Sequence, residues 1–298
     1  MAKKTITRRQ LLRDSTVAAI GTSLFMSAPV NLWGKNDVTK TKVVLIRDKE
    51  VLDASGKPFK RKLEQMLNKG LMELTGQSRE STAWKNVLNA RDVLGIKTNV
   101  WRHLRTPKAL EEILQEKAIA VGLAPENISI NDRGILKDSV FQRSTALINV
   151  RPMRTHAWSG VGSLLKNYIM FVDRPWDYHP DSCADLATLW SLPHVRGKTR
   201  LNILVMLTPL FHGVGPHHFN KKFTWKYNGL LLGFDPVAVD SVGVRIIQAQ
   251  RKKYFNEDKP LNPPAKHIFL ADTRHHLGTA NPEKIDLIIL GWQSDSLI

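Results

Sequence analysis

Short apolar runs alternate along the chain with stretches in which apolar residues recur every three or four positions. The runs predict buried strands at residues 42–47, 93–96, 127–130, 147–150, 201–207, 230–234 and 285–290. Helical spacing is clearest in residues 59–74, which Gly76 ends, and after Asp235-Pro236, where Asp caps a helix and Pro opens it. Strands that alternate with helices predict an α/β fold, with a mainly parallel sheet, helices on both faces and three layers.

Residues 147–172 combine a predicted strand, a basic loop and the start of a helix near Ser163. The predicted loop carries charged residues and glycines, namely Arg151, Arg154, His156, Gly160 and Gly162. The first N–H groups of a helix are unpaired and lie at the positive end of its dipole, so a helix start beside basic side chains favours an anion. A polar loop without a ligand is the alternative, because loops of α/β proteins are commonly polar.

Polar side chains follow the carboxyl ends of several predicted strands, which is where ligands bind in an open parallel sheet. We predict that these side chains line one cleft, together with those at the start of the helix after Ser163. Three residues are candidates for proton transfer, namely Lys97, His156 and Lys166. Six are candidates for substrate binding, namely Asn99, Asp132, Arg151, Arg154, Asn167 and Asp235. The alternatives are a solvated lysine for Lys97, a histidine without a ligand for His156, and a helix cap for Asp235.

Asp240 is predicted to lie on an apolar helix face, beside Val239 and Val242. A buried carboxylate must find a partner or take up a proton, because burial without a partner disfavours its charge. Lys97 or Lys166 would supply such a partner, and this would draw Asp240 towards the same cleft.

A divalent metal is a second hypothesis for the cleft. His156 and His212 are the candidate ligands, with Asp132 and the neighbouring His217 and His218 as additional ones, and their spacing matches no established ligand motif. The chain has one cysteine, Cys183, whereas an iron–sulfur cluster generally needs four and a disulfide needs two. The sequence therefore predicts no intrinsic iron–sulfur cluster and leaves the cofactor open. Phosphate-binding loops, dinucleotide fingerprints and serine nucleophile elbows are absent from it.

The chain is strongly basic, with 44 Lys and Arg against 27 Asp and Glu, a formal net charge of +17. Such a charge favours anionic partners. The basic residues are spread along the chain and no helix-turn-helix, zinc-finger or RNA-binding pattern is present, so specific nucleic-acid binding is not expected. An anionic small molecule, a membrane surface or a wall polymer fits the charge at least as well.

The N-terminus combines TRRQLLR at residues 7–13 with an apolar stretch at 16–28, and it resembles a twin-arginine export signal. We predict a signal or anchor at residues 1–34 and an α/β domain at 35–298. The implied partner is the twin-arginine translocation machinery, and the implied location is periplasmic or secreted. The cleavage site before Pro29 is poor, so a membrane tether through an uncleaved segment is an alternative, as is an ordinary amphipathic helix.

Four sequence blocks resemble the signature blocks of the DUF362 family, a group of uncharacterised bacterial and archaeal proteins. They are GIKTN at 95–99, INVRPMRTH at 148–156, LKN at 165–167 and LGFDPVAVD at 232–240, and the resemblance spans about residues 43–243. Many relatives carry a ferredoxin-like segment with cysteines. This chain departs from them, so an electron-transfer role would need a separate redox partner.

Two functional hypotheses result. The first is an exported enzyme or binding protein with a basic cleft for an anionic small molecule, with a metal-dependent reaction left open. The second is a non-catalytic periplasmic protein that associates electrostatically with membrane, wall polymer or a redox partner. Salt separates them, because screening would abolish the second activity and largely spare a buried site.

Overall fold

The structure is a computed structural model that describes residues 40–213 and 219–298. Three sequence predictions lie outside these ranges: the export signal, the boundary between residues 34 and 35, and the contribution of His217 and His218 to a metal site. No helix within the described ranges is long and apolar enough to cross a membrane.

One mixed sheet of eight strands organises the fold. The strands are β1 (Thr41–Arg47), β2 (Leu94–Lys97), β3 (Ile128–Asn131), β4 (Ala146–His156), β5 (Gly160–Gly162), β6 (Thr199–Leu210), β7 (Gly229–Gly233) and β8 (Ile285–Gly291). Their order is β3-β2-β4-β6-β7-β1-β8, and β5 pairs with β4 outside this path. Neighbours in the order are parallel, except that β7 is antiparallel to both β6 and β1. The predicted α/β fold with a mainly parallel sheet is confirmed.

The helices cover both faces of this sheet. They are α1 (Lys60–Thr75), α2 (Glu80–Val87), α3 (Lys108–Val121), α4 (Ser139–Gln142), α5 (Leu164–Asn167), α6 (Pro180–Cys183), α7 (Pro236–Phe255) and α8 (Lys266–Thr273). Gly76 ends α1 in the left-handed conformation, as the sequence predicts. In the described part of the chain, seven 3₁₀ turns connect the elements, at Pro125–Asn127, Ile135–Lys137, Tyr168–Phe171, Pro175–Tyr178, Leu186–Ser191, Lys221–Phe223 and Pro282–Lys284.

Two hydrophobic cores lie on opposite faces of the sheet. In β1, Val43 and Leu45 pack in the core that contains α5, α7 and α8, whereas Val44 and Ile46 pack in the core that contains α1, α2 and α3. This alternation follows from the two-residue period of a strand. The layers are therefore helix, sheet and helix, as predicted.

The predicted basic loop after residue 150 is wrong, because β4 continues to His156. Its pairing with β6 shifts register between Pro152 and Arg154, where proline has no N–H to donate to the ladder. The last three residues then pair antiparallel with β5, and Gly160 allows the return turn with a φ of 70°. The basic side chains are consequently held on a rigid strand.

Candidate functional site

Four buried cations meet near the carboxyl ends of the central strands. Lys97 ends β2, Arg151 and Arg154 lie on β4, and Lys166 lies on α5; each is at most 5% exposed. We call these four residues the basic cluster. Arg151 is close enough to the other three to lower the pKa of each by like-charge repulsion. The structure thus brings together four residues that are remote in the sequence.

Lys97 is fully engaged by the protein itself. Its Nζ donates to Asp132 Oδ1 at 2.5 Å, to the Thr98 carbonyl at 2.9 Å and, more weakly, to Asn167 Oδ1 at 3.5 Å. Burial lowers the pKa of Lys97 to about 8, although the Asp132 carboxylate opposes the effect. All three N–H groups of the ammonium have acceptors, so Lys97 fixes the floor of the site and has no hydrogen left to reach a ligand.

Asp132 and Asn167, both predicted to bind substrate, serve as internal partners of Lys97. Asp132 Oδ2 also accepts from the Val100 N–H at 2.9 Å. Burial raises the pKa of Asp132, but Lys97, the Val100 N–H and Arg151 together outweigh burial, and the net pKa is lowered. Asn167 Nδ2 donates to the Lys97 carbonyl at 3.1 Å and to Asn149 Oδ1 at 2.8 Å. These bonds tie α5 to β2 and β4.

Arg151 and Arg154 have no hydrogen-bond acceptor and no carboxylate within 4.0 Å among the described residues. Arg151 Nε, Arg154 Nε and Arg154 Nη1 are buried and unpaired. Burial lowers the pKa of Arg151 to about 10, and burial together with Arg151 lowers that of Arg154 to about 8. Buried polar groups are nearly always hydrogen-bonded, so two neighbouring guanidinium groups without acceptors need an explanation.

The loop after β2 covers Arg154. The guanidinium carbon of Arg154 lies 4.1 Å from the ring centroid of the half-buried Trp101. Asn99 Oδ1 accepts from the Trp101 N–H at 3.4 Å and helps to hold this loop. Asn99 therefore lies at the predicted edge of the sheet, where it positions the cover over Arg154.

Lys166 is less constrained than Lys97. Its Nζ donates to Cys183 Sγ at 3.3 Å, and within the described part of the chain this is its one hydrogen bond. Burial lowers the pKa of Lys166 to about 8; Cys183 opposes the shift and Arg151 adds to it. Two hydrogens of this ammonium are available to a ligand.

The sequence did not reveal His267 as a neighbour of the cluster. It is fully buried on α8, and both of its ring nitrogens lack partners among the described residues. Burial, followed by repulsion from Lys166 and Arg151, lowers the pKa of His267 to about 3. A histidine in an ordinary apolar helix pattern gives no signal that it will meet two cations from another part of the chain.

His156 is a neutral hydrogen-bond donor. Its Nδ1 accepts from the Trp158 N–H at 3.2 Å, which places the ring proton on Nε2. Burial, then Lys166 and Arg154, lower the pKa of His156 far below neutrality. His156, a candidate for proton transfer, is therefore neutral at physiological pH. Sequence spacing could not show how many cations surround it.

The tautomers of His156 and His212 oppose the metal hypothesis. His212 Nδ1 lies 3.1 Å from Arg251 Nη1, and arginine can only donate, so His212 also carries its proton on Nε2. A metal ligand needs a bare ring nitrogen, with the other nitrogen donating rather than accepting. Across residues 40–213 and 219–298, no group of three or more His, Cys, Asp or Glu side chains is placed to hold a metal ion.

The N-terminus of α5, where the sequence predicts an anion, already holds a carboxylate. Asp240 accepts from the Leu164 and Leu165 N–H groups, both at 2.9 Å, and from Ser163 Oγ at 2.7 Å. Burial raises the pKa of Asp240 to about 6, although these bonds oppose the rise. The partner of the buried carboxylate is thus a helix start and not a lysine.

Asp235 lies at the other edge of the sheet. Its carboxylate caps α7 by accepting from the Val237 and Ala238 N–H groups, and its second oxygen accepts from the Thr279 N–H. The prediction that Asp235 joins the cleft is wrong, because β7 runs antiparallel and delivers its carboxyl end to the opposite edge. The alternative role as a helix cap is confirmed.

The chain matches the model of a protein family described as "Domain of unknown function (DUF362)", over residues 98–245. The matched span contains Arg151, Arg154 and Lys166 and begins directly after Lys97. No curated protein and no solved structure matches the chain.

Proposed function

Because the chain belongs to the DUF362 family, whose function is unknown, we propose a function from the site itself. The basic cluster binds the anionic group of a small-molecule substrate, and Lys166 transfers a proton to or from that molecule. The observation that carries this proposal is that the buried guanidinium groups of Arg151 and Arg154 lack acceptors within residues 40–213 and 219–298.

The charge balance favours a ligand with two negative charges. The site contains four cations and two carboxylates, and both carboxylates are used internally: Asp132 pairs with Lys97, and Asp240 binds the start of α5. Arg151, Arg154 and Lys166 share what remains. Two uncompensated positive charges match a phosphate ester or a pair of carboxylates, which guanidinium groups bind through parallel hydrogen bonds.

Lys166 is the best placed acid or base. Its pKa of about 8 lies near physiological pH, and two of its hydrogens are free of protein acceptors among the described residues. A proton donor is most effective when its pKa lies near the working pH. A bound anion would stabilise the charged ammonium and so raise this pKa, which would make Lys166 the proton donor in the complex.

Calorimetric titration with sulfate at fixed ionic strength tests the binding. Sulfate keeps its two charges throughout the neutral and alkaline range, so the titration reports on the protein. Arg151→Met should weaken sulfate binding by about a hundredfold, the equivalent of roughly 3 kcal/mol of charged hydrogen bonds. Arg47→Met is the matched control, because Arg47 is equally buried but donates to the carbonyls of Tyr227 and Ser294. Absence of sulfate binding to the parent, or equal loss in both variants, would refute the proposal.

Substrate depletion tests the catalytic part. The protein is incubated with phosphorylated and carboxylated metabolites, and their conversion is followed by NMR beside the Lys166→Met variant. Conversion by the parent and loss in the variant support proton transfer by Lys166. Sulfate binding without any conversion would leave an anion-binding protein and overturn the enzymatic role.

We also propose export through the twin-arginine translocation machinery, with a periplasmic or secreted location. The support is the sequence of residues 7–28. Replacing Arg8 and Arg9 together by lysine should keep the protein in the cytoplasmic fraction, as measured by cell fractionation and immunoblotting. Unchanged export of that variant would contradict this route.

A further inference from the structure

A cavity of about 580 Å³ opens beside the basic cluster. His156, Gly160, His212, Phe223 and Leu261 are among the residues that line it. Its volume falls within the range of small-molecule sites, roughly 300–1,000 Å³, and far exceeds what an inorganic ion fills. The cavity offers space for more than the anionic group alone.

His156 connects the cavity to the cluster. It lines the cavity, and it is close enough to Lys166 and Arg154 for both to lower its pKa. Arg154 directly precedes Thr155 and His156 on β4, and both of these residues line the cavity, so the cavity and the cluster adjoin along this strand. The His156 ring is held by the bond from the Trp158 N–H to Nδ1.

Two cations also line the cavity, Arg251 and Lys259. Arg251 donates to the carbonyls of Phe211, Lys259 and Pro260, and Lys259 pairs with Glu257, so both are engaged by the protein. The rest of the lining suits an uncharged body with a hydrogen-bond acceptor. His156 and His212 both carry their proton on Nε2, and neither Nε2 has an acceptor within the described residues. Phe223 and Phe255 hold the His212 ring edge-on, with centroids 4.5 and 4.9 Å away. Phe223 and Leu261 add apolar surface. Two fixed N–H donors beside apolar walls favour a carbonyl or hydroxyl group on an apolar or aromatic frame.

We infer that this cavity holds the body of the substrate whose anionic group lies in the basic cluster. The inference rests on the proposed function and narrows it. The substrate class is a monophosphate ester, or a comparable dianion, of an aromatic or apolar compound that carries a hydrogen-bond acceptor. Inorganic phosphate and short diacids would fill only part of the site.

Comparison of two phosphate esters tests this assignment. Methyl phosphate and phenyl phosphate share the dianionic group and differ in the body, and both are titrated calorimetrically into the full chain. We expect phenyl phosphate to bind at least about tenfold more tightly, because its ring buries apolar surface. Asn220→Trp, which places a large ring at the exposed rim of the cavity, should remove this advantage and leave methyl phosphate binding unchanged.

Two further variants make the test decisive. Leu261→Trp fills the cavity from its apolar wall and should remove the tighter binding of phenyl phosphate, as Asn220→Trp does. Asp258 is exposed and outside the lining, so Asp258→Trp should still bind phenyl phosphate more tightly than methyl phosphate. Equal binding of the two esters to the parent, or an advantage that survives both filled variants, would overturn the inference while methyl phosphate binding still supports the proposed function. Failure of both esters and of sulfate to bind would overturn both.

Discussion

Arg154→Met should stabilise the anion-free protein while abolishing its response to sulfate. Methionine keeps an unbranched side chain in place of the stem of Arg154 and removes the charge. The Arg154 Nε and Nη1 are buried without acceptors among the described residues, and repulsion from Arg151 adds to the effect of burial, which Asp132 only partly opposes. Removal of a group that the fold does not satisfy should raise stability, in contrast to most substitutions of buried residues.

The magnitude follows from the environment of Arg154. Burial and Arg151 lower its pKa from 12.5 to about 8, which at ~1.4 kcal/mol per pKa unit is a penalty of roughly 6 kcal/mol on the charged form. Loss of the contact with Trp101 reduces the expected gain in stability by about 1 kcal/mol, and imperfect packing of methionine reduces it by a similar amount. Measured replacements of buried charges by apolar residues stabilise by about 1–4 kcal/mol, so we expect a gain of about 2 kcal/mol and a Tm higher by ~4–8 °C.

Urea denaturation with and without sulfate, at constant ionic strength, measures both effects. Arg47→Met is again the control. The Arg47 guanidinium carbon lies 4.2 and 4.3 Å from the ring centroids of Tyr227 and Trp292, and its Nε and Nη1 donate to backbone carbonyls. That variant should lose about 3 kcal/mol and keep its response to sulfate. If Arg154→Met were destabilised to the same extent, the charge of Arg154 would be compensated within the fold, and the reasoning for an anion would fail.

Titration, a glycine substitution and loss of an internal counterion test the site in other ways. The lysines of the basic cluster have pKa values of about 8, lowered from 10.5, so unfolding takes up protons between these values. In urea titrations of the sulfate-free protein, the free energy of unfolding should rise from pH 8 to about pH 10, by up to roughly 1.4 kcal/mol per pH unit for each lysine. Sulfate affinity should fall over the same range. A free energy of unfolding that does not change with pH would contradict these pKa values. Gly162→Ala should weaken sulfate binding several-fold in calorimetry, because a β-carbon there lies 2.9 Å from Arg151 Nη2; unchanged affinity would remove Arg151 from the site. Asp132→Asn should cost about 3–5 kcal/mol in urea denaturation, because buried Lys97 loses its counterion, and a neutral effect would show that the pair is not essential.

Local patterns were sufficient to predict most of the fold. Apolar runs located the strands because buried strands of a three-layer sheet are apolar on both faces. Capping residues located the C-terminal end of α1 and the start of α7. Gly76 acts through its left-handed backbone and Asp235 through its side chain. These features depend on neighbours in sequence and can therefore be read from it.

Strand direction and pairing could not be predicted in the same way. The five residues of β7 form an apolar run that would suit either direction. The residues after Pro152 looked like a loop because their partners, β5 and the end of β6, are contributed by later parts of the chain. Both errors moved predicted site residues: Asp235 went to the opposite edge, and the basic residues became part of a strand.

Apart from Asp235, the sequence predicted which charged candidates meet, but it did not predict how their charges are shared. Lys97, Asp132 and Asn167 were expected near one another, and they are. In the folded protein all three hydrogens of the Lys97 ammonium have acceptors, whereas Lys166 makes a single hydrogen bond in the described chain. The sequence alone does not show this difference. A role in catalysis depends on this difference, because a fully engaged ammonium cannot also bind a substrate.

The site thus contains two kinds of buried charge. Lys97 with Asp132, and Asp240 with the start of α5, are closed pairs that the protein completes by itself. Arg151 and Arg154 are open, and an apolar residue at either position would give a more stable fold. Folds break local rules of this kind mainly at functional sites. A bound dianion would supply acceptors for both arginines, and its binding must then raise the free energy of unfolding. A ligand at a hundredfold excess over its Kd adds about 2.7 kcal/mol. The same ligand should therefore more than offset the expected difference of about 2 kcal/mol between the parent and Arg154→Met. This couples the cost of the two arginines to the anion that they bind.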